Sequence, residues 1–169
     1  MTRRLVLFLA LASAPLFADP HLVRGRVAAW FELLKARPEV DPGRIGAIGY
    51  CFGGQCVLDL ARSGADVKVV VSYHGLLQTA LPAPPGGIKA QIVVYSGAKD
   101  PYVPREVVSA FQDEMLAAEA RWQITVFGEA YHSFTDPDAG QMGLPGLAHD
   151  PLAERLSWAG TEILLESLL

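Results

Sequence analysis

The alternation of short apolar runs with longer helical segments is the feature that most constrains the fold of this chain. Runs of strand length, rich in β-branched or apolar residues, occupy residues 44–49, 67–72, 91–96 and 122–127. Segments of helical periodicity precede, separate and follow these runs. Strands that alternate with helices predict an α/β fold, in which a mostly parallel sheet carries helices on both faces.

The helix boundaries are signalled by proline and glycine. Asp19-Pro20 and Asp150-Pro151 each place an N-cap residue before a proline, which is typical of a helix start. The first helix should end before Pro38, a second should span residues 53–62, and a third should start at Pro104. Helical spacing predicts the following inward-facing sets: Val23, Val27, Trp30, Phe31 and Leu34; Val107, Val108, Phe111, Met115 and Leu116; Leu152, Leu156, Ala159, Ile163 and Leu164.

Composition limits the classes of function. The 169 residues are 51% hydrophobic and 19% charged, which predicts one folded domain rather than a disordered chain. A net charge of -4 without a basic run argues against a nucleic-acid partner. The two cysteines, Cys51 and Cys56, cannot form a disulfide framework and lack zinc-ligand spacing, so we expect no metal and no other cofactor.

Residues 1–18 allow two interpretations. Arg3 and Arg4 precede the apolar run 5–11, and small residues lead to Phe17-Ala18, which is the arrangement of a secretory signal peptide. The alternative is a buried strand or helix turn, that is, a residual N-terminal segment of the domain that spans residues 19–169. The run is too short to span a membrane. The sequence therefore leaves open whether the protein is cytoplasmic or exported.

Gly49-Tyr50-Cys51-Phe52-Gly53 has the form G-x-C-x-G and lies directly between a predicted strand and a predicted helix. This is the nucleophile elbow of α/β-hydrolases with sulfur in place of the hydroxyl. A thiolate at this position is stabilised by the helix N-terminus, and the backbone N–H of Phe52 would be one oxyanion donor. The alternative is a tight turn with a buried cysteine.

Two further residues follow the next predicted strands in the order that a catalytic triad requires. Asp100 comes after the strand 91–96, and His132 comes after the strand 122–127. The order of nucleophile, acid and histidine is that of α/β-hydrolases. Cys51 would attack an acyl carbon, His132 would transfer the proton, and Asp100 would orient the imidazole. Each residue alone has an ordinary structural explanation, and the combination carries the prediction.

The segments RIGAIGYCFGGQCVLDLARSGADV, YSGAKDPYVP and YHSFTDP resemble the dienelactone hydrolase family. The resemblance runs from about Asp19 to the C-terminus. It implies an α/β-hydrolase fold with Cys51, Asp100 and His132 as the triad. It also implies a hydrolase of small-molecule esters, lactones or thioesters that needs no cofactor.

The chain departs from the family pattern in two ways. Family members usually have several strands before the elbow, which supply a second oxyanion donor and a glutamate near the cysteine. The only glutamates before Cys51 are Glu32 and Glu39, which lie in a predicted helix and turn and offer no counterpart. Only 50 residues precede Cys51, so the fold is expected to be N-terminally shortened. Family members that cleave carboxylated dienelactones carry an arginine shortly after the histidine. Thr135-Asp136 stands there instead, which disfavours a carboxylated substrate.

Other interpretations remain open at this point. The chain could be a weakly active or non-catalytic truncated relative of α/β-hydrolases, or a redox thiol protein, although it has no C-x-x-C motif. His74 follows a predicted strand and either lines the pocket or has a structural role. We expect Cys56, Trp122 and Trp158 to pack in the core, and His149 to lie at the surface.

Overall fold

A single parallel sheet organises the domain. The computed structural model describes residues 5–8 and 19–169. Its strands are β1 (Leu5–Phe8), β2 (Ile45–Tyr50), β3 (Val69–Tyr73), β4 (Gln91–Gly97) and β5 (Arg121–Phe127). They lie in the order β1-β2-β3-β4-β5, and every neighbouring pair is parallel. The predicted α/β class is therefore confirmed, and the carboxyl ends of the strands meet at one edge, where functional groups of such folds collect.

The N-terminal strand β1 pairs with β2, with Leu5 opposite Ile45 and Phe8 opposite Ile48. Residues 1–4 and 9–18 lie outside the described residues, and the cleavage site expected near Phe17-Ala18 falls among them. The signal-peptide interpretation of residues 1–18 therefore stays a prediction. Within residues 5–8 and 19–169, no helix is long and apolar enough to cross a membrane.

The helices are α1 (Pro20–Lys35), α2 (Phe52–Arg62), α3 (Arg105–Ala117) and α4 (Pro151–Leu168), with a short 3-10 helix at Ala139–Gln141. The Asp19 carboxylate accepts hydrogen bonds from the first backbone N–H groups of α1, and Asp150 does the same for α4. Both Asp-Pro starts are thus confirmed, because the carboxylate satisfies N–H groups that have no partner within the helix. Pro104 caps α3 rather than forming its first turn.

Two apolar clusters lie on the two faces of the sheet. Since successive residues of a strand point to opposite faces, Val70 belongs to one cluster and its neighbours Val69 and Val71 to the other. The first cluster receives residues from α1, α2 and α3, among them Val27, Phe31, Val57, Leu60, Phe111 and Met115. The second cluster is covered by α4, through Ala153, and by the C-terminal Leu169.

The inward face of α4 differs from the prediction. Leu152, Leu156 and Ile163 are 65%, 54% and 65% exposed, whereas the small residues Ala153, Ser157 and Thr161 are buried. Two large side chains of the sheet explain the reversal, because Tyr73 and Tyr95 project toward this helix. The Tyr73 hydroxyl lies 2.5 Å from Thr161 Oγ1, and Tyr95 closely approaches Gly160. Only small helical residues leave room for these rings.

Two other predicted core residues are exposed, namely Trp30 on α1 and Leu116 on α3. Each lies at the edge of an apolar stripe whose centre is buried, at Phe31 and Met115 respectively. Trp122 packs against the first cluster, as expected, with its ring centroid 6.5 Å from that of Phe111.

A buried arginine anchors the loop that follows β3. Arg62 donates two hydrogen bonds of 2.8 Å to the carboxylate of Glu114 and one of 2.8 Å to the carbonyl of Leu77. Arg24 donates to the carbonyl of Leu81 further along the same loop. Hydrogen bonds to a charged group are strong. These bonds hold the loop that begins at His74, directly after β3.

Candidate active site

Cys51 occupies a sharp turn between β2 and α2. Its backbone has φ 52° and ψ -122°, which is a strained conformation for a residue with a side chain. The turn is tight because β2 and α2 approach closely, and a Cβ atom on Gly49 would overlap the backbone carbonyl of Gly53. Gly49, the first glycine of G-x-C-x-G, is thus required by space, and the turn presents the exposed Cys51 side chain at the edge of the sheet.

The three residues predicted after strand ends, Cys51, Asp100 and His132, form two contacts in series, with His132 in the middle. His132 Nε2 is 3.1 Å from the Cys51 sulfur, and His132 Nδ1 is 2.8 Å from Asp100 Oδ2. The side chains of His132 and Asp100 are buried, whereas Cys51 is exposed. A carboxylate at Nδ1 fixes the ring so that Nε2 faces the sulfur.

The contact between Cys51 and His132 changes the pKa of both groups. The hydrogen bond from His132 lowers the pKa of the Cys51 thiol, although partial burial opposes this shift. Burial also lowers the pKa of His132, but its hydrogen bonds with Asp100 and Cys51 outweigh that effect and raise its pKa to about 9. The two shifts favour a thiolate next to an imidazolium at neutral pH.

Asp100 is held by the turn that follows β4. Its Oδ1 atom accepts a 2.8 Å hydrogen bond from the backbone N–H of Tyr102, which leaves Oδ2 for His132. The Tyr102 ring stands edge-on to the His132 ring at a centroid distance of 4.9 Å. Tyr102 was not among the residues predicted from the sequence. An Asp two residues before an aromatic residue, with Pro between them, is a turn signal that could have indicated it.

His132 lies in an ordered segment after β5. Its backbone N–H donates to the carbonyl of Gly146 at 3.0 Å, and its own carbonyl accepts from Ala148 at 3.2 Å. The next residue, Ser133, has φ 57°. The segment 146–148 therefore holds the backbone of His132 through two hydrogen bonds.

His74 also lies in the site, directly after β3, and it is buried. The backbone N–H of Cys51 donates to His74 Nδ1 at 3.2 Å, and His74 Nε2 lies 2.8 Å from Thr135 Oγ1. Phe52 begins α2, and its backbone N–H interacts with the Cys51 sulfur and helps to lower the pKa of that thiol. Both residues thus lie beside Cys51, and of the two interpretations of His74 the structure agrees with a place in the site.

A cleft of about 440 Å³ opens beside Cys51. Its carboxylates come from Asp136 and Glu154, and within residues 5–8 and 19–169 no lysine or arginine lines it. The lining residues are Tyr50, Cys51, Tyr73, His74, Ser133, Thr135, Asp136, Pro137, Glu154 and Trp158.

Trp158 is 39% exposed and belongs to this cleft, so its predicted core position is wrong, because the small face of α4 turns inward instead. His149 is partly buried and hydrogen-bonds to Glu154 at 2.7 Å.

The remaining candidates lie away from this arrangement. Cys56 is fully buried in the first cluster, as predicted, and burial raises the pKa of its thiol to about 12. Glu32 and Glu39 are exposed on α1 and the turn after it. Among the residues that the structure describes, no group of three or more His, Cys, Asp or Glu side chains could hold a metal ion.

The parallel sheet, the strained turn between β2 and α2 and the placement of site residues after successive strands define an α/β-hydrolase. Residues 16–168 match the dienelactone hydrolase family. The match covers most of the chain, and the chain belongs to this family.

Three related proteins illustrate the similarity. A Caenorhabditis elegans protein named "Uncharacterized protein K02A2.1" is 36% identical over 153 residues, which cover 86% of this chain and 94% of that protein. A Bradyrhizobium protein named "Probable 2-oxo-3-(5-oxofuran-2-ylidene)propanoate lactonase" is 27% identical over 156 residues, covering 87% of this chain and 60% of that protein.

The third is a solved structure described as the dienelactone hydrolase-like promiscuous phosphotriesterase P91 from metagenomic libraries. It has a TM-score of 0.83 and 41% sequence identity to this chain. The superposition covers 91% of this chain and 64% of that one. The chain thus spans less than two thirds of the length of the P91 structure and of the Bradyrhizobium protein.

Proposed function

We propose that this chain hydrolyses small esters, lactones or thioesters through a covalent intermediate on Cys51, with His132 and Asp100 completing the triad. The observation that carries the proposal is the continuous series of contacts from Cys51 through His132 to Asp100. The same series accounts for both pKa shifts at the nucleophile and its base. Membership in the dienelactone hydrolase family agrees with an ester or lactone substrate.

In the first step the Cys51 thiolate attacks the acyl carbon, and a sulfur–carbon bond forms. The carbonyl electrons move to the oxygen, toward which the N-terminus of α2 and the Phe52 N–H contribute positive potential. As the bond to the leaving oxygen or sulfur breaks, His132 transfers its Nε2 proton to that atom. The products of this step are the free alcohol or thiol and a thioester on Cys51.

In the second step the thioester is hydrolysed. His132 is now neutral, and it accepts a proton from water while the water oxygen attacks the acyl carbon. The carbon–sulfur bond breaks, the carboxylic acid leaves, and the thiolate and imidazolium are restored. Asp100 keeps Nδ1 protonated throughout, so that Nε2 always faces the reacting atoms.

The cleft indicates the class of substrate. Its volume of about 440 Å³ is typical of sites for small organic molecules. Two carboxylates, Asp136 and Glu154, line it, and none of its described lining residues is a lysine or an arginine, so a negatively charged substrate would be repelled. We therefore expect uncharged esters and lactones to be better substrates than carboxylated ones.

Neutral phosphotriesters are a second candidate class. The P91 structure, which is 41% identical, is described as a promiscuous phosphotriesterase. A thiolate can attack phosphorus as it attacks an acyl carbon. The part of the cleft that the structure describes has no lysine or arginine to bind an anionic phosphoester, which favours neutral triesters. Release of p-nitrophenol from paraoxon that depends on Cys51 would support this activity.

The deciding experiment compares Cys51→Ala with Cys56→Ala in the hydrolysis of p-nitrophenyl acetate. Cys51→Ala should lower kcat by about 10³-fold or more, because the nucleophile is lost. Cys56→Ala removes the other thiol, which is buried and away from the site, and the folded variant should keep the parent rate. If Cys51→Ala hydrolyses the ester as fast as the parent, the proposal is wrong.

A further inference from the structure

A second histidine is built into the site without contacting the reacting atoms directly. His74 is 3% exposed, follows β3, and has φ 38°, a backbone conformation that is uncommon for residues with a side chain. Its ring centroid lies 5.2 Å from that of His132 and 5.2 Å from that of Phe134, in both cases edge to face. A buried histidine in this position needs a physical explanation.

The hydrogen bonds of His74 define its protonation state. Nδ1 accepts the backbone N–H of Cys51, so this nitrogen carries no proton. Nε2 must then bear the proton and donate it to Thr135 Oγ1 at 2.8 Å. Burial, together with the nearby charge of His132, lowers the pKa of His74 to about 3. The ring is therefore neutral, in a single tautomer, over the physiological pH range.

We propose that His74 is a positioning residue that ties the backbone of Cys51 to the segment carrying His132. Its Nδ1 atom holds the elbow, and its Nε2–H group holds Thr135, three residues after His132. The inference rests on the proposed triad, because it assigns His74 the task of keeping the Cys51 sulfur in line with His132 Nε2.

The backbone of Cys51 needs such support. Its strained φ and ψ are unfavourable in isolation, and such a conformation persists only where its surroundings fix it. The Cys51 N–H group is shared between the Tyr73 carbonyl at 3.0 Å and His74 Nδ1 at 3.2 Å. The carbonyl belongs to β3, and the imidazole adds the link to the loop after β5. This link adds a direct connection between the backbone of Cys51 and the segment that carries His132.

The absence of charge on His74 also favours the ion pair between Cys51 and His132. The His132 ring lies beside it and is an imidazolium when Cys51 is a thiolate. A positive charge on His74 would repel that imidazolium and weaken the ion pair. A neutral ring that accepts at one nitrogen and donates at the other avoids this repulsion.

Two matched pairs of variants test the proposal. Thr135→Val removes the hydroxyl that His74 contacts at almost constant volume, whereas Thr135→Ser retains it. In His74→Asn, the amide oxygen can replace the Nδ1 acceptor for Cys51. In His74→Gln, the amide lies near the Nε2 position and the acceptor for Cys51 is lost. His21→Asn, at an exposed position of α1, is the control.

Thr135→Val and His74→Gln should lower kcat for p-nitrophenyl acetate about tenfold or more, with KM changed less than about threefold, because misplacement by a fraction of an ångström weakens the reaction geometry. Thr135→Ser should retain most of the parent kcat. His74→Asn keeps the acceptor for Cys51 but loses the contact with Thr135, so its kcat should fall about as far as that of Thr135→Val. Equal kcat values for Thr135→Val and Thr135→Ser would overturn the proposal, as would a parent-like kcat in a folded His74→Asn or His74→Gln variant.

The labelling rate of Cys51 with iodoacetamide separates this inference from the proposed function. If the parent does not hydrolyse esters, the proposed function fails, and the Thr135 pair is compared by labelling rate alone. Slower labelling in Thr135→Val than in Thr135→Ser supports the positioning role, and equal rates overturn it. If the His74 variants do not fold, as judged by circular dichroism, the Thr135 pair decides.

Discussion

The Cys51 sulfur lies 3.1 Å from His132 Nε2, although 81 residues separate the two in the chain. β2 and β5 are not neighbours in the sheet, and two strands lie between them. The contact forms because both residues follow carboxyl ends of parallel strands and hydrogen bonds hold both backbones, that of Cys51 to the carbonyl of Tyr73 and that of His132 to the carbonyl of Gly146. The chemical behaviour of this pair leads to the following predictions.

The first prediction concerns pH. His132 must be protonated to donate to the leaving group, and its pKa is raised to about 9. Its protonated fraction is therefore nearly complete at neutral pH and falls as the pH rises through about 9. The kcat/KM for an alkyl ester, whose leaving group needs a proton, should decline above that pH. A profile that continues to rise well above pH 9 would contradict the assignment of His132 as the acid.

A p-nitrophenyl ester is the control for this profile. Its leaving group is stable without a proton, so its rate should fall less steeply over the same range. At acid pH the kcat/KM should fall equally for both esters, because protonation of the Cys51 thiolate removes the nucleophile whatever the leaving group is. Each profile reports titration of the pair rather than of one residue alone.

The second prediction concerns Asp100. In Asp100→Asn the amide retains the shape of the side chain, but it no longer stabilises the imidazolium and it favours the wrong tautomer of His132. By analogy with the serine triad, kcat should fall by about 10³–10⁴-fold. Steady-state kinetics on p-nitrophenyl acetate measure this loss, and circular dichroism checks the fold. A loss of less than about tenfold would show that the contact between Asp100 and His132 is structural only.

The third prediction concerns the charge of the substrate. Asp136 and Glu154 line the cleft, so p-nitrophenyl acetate should be hydrolysed with a higher kcat/KM than the anionic p-nitrophenyl hemisuccinate. Asp136→Asn and Glu154→Gln should each narrow this preference about threefold to tenfold, which corresponds to a partly screened interaction of roughly 1 kcal/mol. Asp113→Asn, at an exposed position of α3, should leave the ratio unchanged. An unchanged ratio in both cleft variants would show that these carboxylates do not select the substrate.

Much of this architecture could be predicted from local signals. Asp19-Pro20 and Asp150-Pro151 marked helix starts because capping depends on a few adjacent residues. The positions of Cys51, Asp100 and His132 after predicted strands indicated one shared edge, because all carboxyl ends of a parallel sheet point the same way. The structure brings these three side chains together, and their catalytic roles remain proposals.

Other features depend on contacts between distant segments. Periodicity showed that Leu152 and Leu156 share a face of α4, but it could not show that the bulky Tyr73 on β3 selects the opposite, small-residue face. Because the small-residue face of α4 packs on the sheet, Trp158 lies in the cleft rather than in the core, where it was expected. The contact between His74 and the Cys51 backbone likewise follows from strand register, in which Tyr50 pairs with Tyr73.

The measurement that tests the central claim most directly is mass spectrometry of the protein quenched in acid during turnover of p-nitrophenyl acetate. If Cys51 is the nucleophile, we expect an acetyl group on the peptide that contains Cys51, bound as a thioester and removed by neutral hydroxylamine. The adduct should be absent from Cys51→Ala and present in Cys56→Ala. Turnover of the ester with no acetyl group on Cys51 at any quench time, together with undiminished turnover by Cys51→Ala, would contradict the account.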